Sequence, residues 1–163
     1  MIIALADAIA AALNAAQSPT PPAVSPFVEA FTASVKFAPI NDLSKVADGT
    51  ILLHLLPMDD SESRLGGGAY PRFHGTYIID AVLYAKVGFD SGDPDDTKCR
   101  TLMDLKQQIR DYLKPARFSV PTGVRPTNAT MEDIDGDPAY AGWSLLQQGV
   151  FVSCQTLKWS IPA

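Results

Sequence analysis

Residues 76–87, TYIIDAVLYAKV, alternate almost without a break. Tyr77, Ile79, Ala81, Leu83, Ala85 and Val87 fall on one face, all apolar or aromatic. Thr76, Ile78, Asp80, Val82, Tyr84 and Lys86 fall on the other, which is mixed. Period-two alternation rich in β-branched and aromatic residues is the mark of a half-buried strand. At roughly 3.3 Å per residue such a strand spans about 40 Å, twice the usual length. Its alanines and leucines leave a helix open as the alternative.

On the C-terminal side, Gly88 to Gly92 reads as a turn and Asp93 as a helix N-cap. Pro94 then takes the first helical position, with Asp95 and Asp96 at the positive end of the dipole. Leu102, Leu105, Ile109, Tyr112 and Leu113 form the apolar stripe, with Cys99 joining them; Lys114 and Pro115 end the helix. Residues 116–142 read as an irregular, partly acidic loop. Its segment 131–138, MEDIDGDP, fails the calcium-loop pattern: counted from Asp133, Pro138 stands where glycine is needed and Ser144 where glutamate is needed. A solvated acidic turn is the main reading and an adventitious calcium site the alternative. Residues 149–159 alternate again and predict a last strand, a natural partner for the long one.

On the N-terminal side, residues 58–72, MDDSESRLGGGAYPR, show no hydrophobic period and predict an extended interaction arm. Gly66-Gly67-Gly68 is not followed by Lys-Ser/Thr, and a strand comes next, so a phosphate loop is not indicated. Residues 50–56, TILLHLL, are apolar on both faces and predict a central strand stopped by Pro57. Within it His54 reads as a satisfied core or edge residue rather than a ligand. Residues 31–38 predict a strand with Phe31, Ala33, Val35 and Phe37 inward. Residues 18–26 carry four prolines and make a stiff connector. Residues 2–16 read as an amphipathic helix with Ile2, Leu5, Ile9 and Leu13 on one stripe. A signal peptide fits less well, because a basic n-region is absent and Asp7 interrupts the apolar run.

These elements predict an α+β fold in a single domain, 1–163: a mainly antiparallel twisted sheet of about four or five strands, two helices packed on it, and long interaction loops. The 163 residues carry a net charge of −5, so non-specific attraction to a nucleic-acid backbone is not expected. Residues 98–125 hold seven of the thirteen basic side chains, whereas 89–96 and 131–138 hold acids and no bases. Such segregation fits subunit complementarity, and equally a solvated helix with acidic flanks. Two cysteines without metal-ligand spacing point to a reduced, cytosolic setting. The histidines, His54 and His74, stand in no nucleophile or metal motif. No catalytic, cofactor or metal residues are therefore assigned.

With the order of elements in hand, the chain resembles the tail terminator (tail-completion) proteins of long-tailed bacteriophages. The likeness covers nearly the whole chain and is clearest over residues 73–87, FHGTYIIDAVLYAKV, and 97–113, TKCRTLMDLKQQIRDYL. It implies a structural virion protein that forms a ring, commonly a hexamer, on the end of the tail tube. There it would stop tube polymerisation and join the tail to the head–neck connector. It implies as partners further copies of itself, the major tail-tube protein and a neck protein, with DNA only as passing cargo and no membrane. The place it implies is the tail–neck junction of the virion, after synthesis in the host cytoplasm. Candidate interface residues are Arg64, Leu65, Tyr70, Arg72 and His74 on the arm and Asp80 and Tyr84 on the mixed face of the long strand. Another neck or tail-tube assembly protein, a soluble ligand-binding domain or a small enzyme are the alternatives.

Overall fold

The computed structural model describes residues 1–65, 72–124, 129–132 and 141–161, and its fold is α+β. The main sheet has five strands in the order β1–β2–β3–β7–β6: β1 Thr32–Val35, β2 Ile51–Leu65, β3 Arg72–Lys86, β7 Val150–Ser160 and β6 Thr130–Glu132. All its neighbours are antiparallel except β1 with β2. A small second sheet joins β4 Phe89–Asp90 to β5 Asp93–Pro94. The helices are α1 Ile2–Ala16, α2 Asp96–Leu113 and the short α3 Gly142–Gln148.

All of the stretch 76–87 but Val87 lies in β3, the middle strand, and the alternation sorts its side chains as expected. Tyr77, Ile79, Ala81, Leu83 and Ala85 are buried in the main core. Opposite them α1 places Leu5, Ile9 and Leu13, with Ala6 and Ala10 letting the helix sit close. Leu102, Leu105, Ile109 and Leu113 of α2 join the same core, as do Phe151, Leu157 and Trp159 of β7. Removal of this apolar surface from water is the main favourable term for the fold. The Phe118 ring meets Trp159 edge-on, centroids 5.6 Å apart.

The exposed edge of β1 is closed by a side chain. Asn14 of α1 donates through Nδ2 to the Ala33 carbonyl at 2.9 Å, and its Oδ1 accepts from the Ala33 N–H at 2.9 Å. Gln17, one turn on, accepts from the Phe31 N–H at 2.8 Å. The side-chain amides of Asn14 and of the C-cap residue Gln17 thus satisfy backbone groups that would otherwise offer the edge to another strand.

Several expectations are corrected. Pro57 does not stop β2, which continues through a register shift between Pro57 and Asp59 to Leu65. Proline is tolerated there because β1 ends opposite Leu55, so no ladder on that side needs its missing N–H. The arm 58–72 is therefore not irregular in its described part: β2 and β3 pair as far as Leu65 and Arg72. The α2 cap is Asp95, whose Oδ1 accepts from the Lys98 N–H at 3.1 Å. Asp93 and Pro94 are taken by β5, across a tight turn with positive φ at both Ser91 (52°) and Gly92 (91°). Phe37 is not inward but 77 % exposed, since β1 ends at Val35. The 116–142 loop contains β6, and α3 follows it. Gly149 ends α3 at φ 62°, donating to the Leu145 carbonyl at 3.0 Å and accepting from the Val87 N–H at 2.7 Å.

Candidate interaction surface

The helices cover one face of the sheet, and the other face is only partly covered. There Val46, Leu56, Val82, Tyr84 and Val150 form a smaller cluster under residues 36–50. Tyr84 fastens that loop: its Oη accepts from the Ile40 N–H at 3.1 Å. Burial pushes the Tyr84 phenol up, so it stays neutral and keeps its own proton to donate.

Beside this cluster lies an open groove of about 530 Å³. Its walls are Phe37, Ile40 and Leu43 from the loop and Leu56 and Met58 from β2. Its floor is Asp80, Val82 and Tyr84 of β3 with Val152 and Cys154 of β7. Phe37 and Met58 are 77 % and 58 % exposed, a large apolar surface left to water. The only carboxylate among the lining residues is Asp80. Its Oδ1 accepts from Thr156 Oγ1 at 2.7 Å across the β3–β7 ladder, and among the described residues no cation pairs with it.

His54 lies on the same face and is only 7 % exposed, its ring edge-on to Tyr84 at 5.2 Å. The expectation of a satisfied histidine is corrected in one respect: Nδ1 has no hydrogen-bond partner among the described residues. Burial, helped by the nearby Lys36 charge, pushes its pKa down, so the neutral ring is the one that fits.

The candidate interface residues separate into two groups. Asp80 and Tyr84 meet in the groove. Arg64 and Leu65 stand near the end of β2, and Arg72 and His74 at the start of β3, with Leu65 opposite Arg72 and Ser63 opposite His74. Tyr70 lies outside the described residues, as do Gly66-Gly67-Gly68 and residues 133–138 of the acidic segment. The β3–β7 ladder stops at Thr76 and Ser160, while β2 and β3 continue together for four more register pairs, from Glu62–Gly75 to Leu65–Arg72. That projecting pair of strands is a ribbon, not a loose arm. The groove's apolar walls are not legible in the sequence, where alternation puts Phe37 inward and Met58 falls in the aperiodic arm.

A second hollow, about 680 Å³, lies between α2 and α3 and includes Cys99, Arg100, Met103 and Leu145. Burial together with Asp96 and Asp95 pushes the Cys99 thiol up, which makes it a poor nucleophile. Among the described residues no three His, Cys, Asp or Glu side chains converge to hold a metal ion. Nor is any described helix long and apolar enough to cross a membrane. Comparison with protein-family models, curated proteins and solved structures gives no match.

Proposed function

We propose that this chain is a structural ring subunit of a long-tailed phage, a tail terminator that caps the tail tube and joins it to the neck. The observation that carries this reading is the ribbon. Its two strands run on past the end of the β3–β7 ladder with no further strand beside them among the described residues, and such an extension is suited to reaching another molecule. The order of elements supports the same reading: a helix, the strands β1 and β2, the ribbon into β3, a single long capped helix, and a closing strand. In this role the chain forms a ring, a hexamer by the resemblance, and contacts the major tail-tube protein on one side and a neck protein on the other. An acidic subunit, net −5, suits a channel through which DNA slides without sticking.

The test removes the ribbon and keeps the domain. Replacing residues 62–75 with Asn-Gly joins the register pair Ser61 and Thr76 through a two-residue turn. A folded chain that no longer forms rings or caps tubes is expected. Assembly at wild-type levels would remove the ribbon from the reading.

A further inference from the structure

We propose that the groove on the open sheet face receives the ribbon end of a second copy of this chain, with Asp80 meeting Arg72 of that ribbon. The proposal rests on the ring reading above and adds the surfaces through which neighbouring subunits meet.

The groove's chemistry specifies what it accepts. Its walls are apolar apart from Asn41, and Phe37 and Met58 leave them exposed. A single half-buried carboxylate, Asp80, sits within, held in place by Thr156. The complement is therefore an apolar segment that brings an arginine or lysine to Asp80, because a cation brought against a carboxylate in partly dehydrated surroundings gains more than it does in water. Lys36, beside Phe37 in the chain, does not line the groove.

The ribbon end has that composition. Residues 63–75, SRLGGGAYPRFHG, contain two arginines and no acid, in a chain that is acidic overall. At the described end of the ribbon an arginine, Arg72, stands opposite a leucine, Leu65, and Arg64 stands opposite Phe73. Arginine and bulky apolar residues are the side chains that most often anchor interfaces.

The donor must belong to another copy. Arg72 and Asp80 lie on one continuous strand, eight residues and about 26 Å apart, and a strand cannot fold back onto itself. Ribbon and groove are also different surfaces, so the contact is head-to-tail. Repetition of such a contact closes into a ring when its rotation allows, which matches the assembly proposed for the chain.

A charge exchange tests this on the full-length chain, free and on tail tubes, by sedimentation velocity and microscopy. Asp80→Arg and Arg72→Asp, each alone, set like charges against one another and should lower self-association at least tenfold. Mixed in equal amounts they should assemble again, because the arginine grooves then meet aspartate ribbons and the remaining grooves and ribbons are native. A mere folding defect would not be cured by mixing. Asp80→Asn, which keeps the acceptor for Thr156, covers the case in which arginine at 80 unfolds the chain; it too should weaken association at least tenfold. Unchanged assembly of Asp80→Asn and Arg72→Asp would overturn the groove contact and leave the ring reading standing. So would single variants that assemble normally but lose a neck protein instead. A wild-type chain that neither self-associates nor caps tubes would overturn both.

Discussion

Asp80 on β3 and Thr156 on β7 face each other across the ladder, and the Thr156 hydroxyl donates to the Asp80 carboxylate at 2.7 Å. A carboxylate held by one neutral donor in an apolar groove is oriented but not neutralised. Thr156→Val removes that donor and keeps the shape, and should lower stability by about 1–2 kcal/mol. Asp80→Asn should cost less, because its amide oxygen still accepts. Urea denaturation at pH 7.5 separates the two.

His54 supplies a pH dependence of definite sign. Its pKa is lowered in the fold, so the unfolded chain binds more protons at mildly acid pH. The neutral ring's stability is fully present above the ordinary histidine value, about 6.5, and is lost as pH falls below it. The urea midpoint of the native chain should drop between pH 7.5 and 5.5. His54→Leu should flatten that drop; an unchanged slope would take His54 out of the explanation.

The edge closure by Asn14 predicts a combined effect. Asn14→Ala leaves the Ala33 N–H and carbonyl without their side-chain partner, a loss of about 1–2 kcal/mol at a partly exposed site. The uncovered strand should also raise aggregation, measured by light scattering at matched fractions folded.

The capping assignment separates two neighbouring aspartates. Asp95→Ala removes the bond to the Lys98 N–H and should cost about 1 kcal/mol, whereas Asp93→Ala should stay within about 0.5 kcal/mol. Equal costs would return the helix start to Asp93.

Gly75 lies where the ribbon leaves the sheet. A Cβ there would stand 2.8 Å from the Tyr77 hydroxyl, and the Tyr77 ring is wholly buried and cannot easily yield. Gly75→Ala should destabilise by about 1–3 kcal/mol, seen as a lower thermal midpoint.

What the sequence revealed follows burial. Residues 77–85 of β3 and 151–159 of β7 border the main core, so alternation marks their faces correctly, Tyr77 and Trp159 included. Both long helices are legible for the same reason. The continuation of β2 past Pro57 is not, because Met58, Asp59, Asp60 and Ser61 are exposed and have no apolar face to repeat. Pro57 reads as a strand stop in the sequence, which does not show that β1 ends opposite Leu55 and a bulge follows. Three-residue β6 is too short to show a period. Of the groove, Asp80 and Tyr84 stood out as polar or aromatic members of a mixed strand face, whereas Phe37 and Met58 join them only through the path of the chain.

The central claim is that this chain ends a tail tube. Purified chain mixed with tail tubes purified from the phage that this reading makes its source, viewed by negative-stain microscopy, tests it most directly. The account predicts a ring of density on one end of each tube and tubes that no longer lengthen when tube protein is added. Bare ends and continued growth at saturating chain would contradict it.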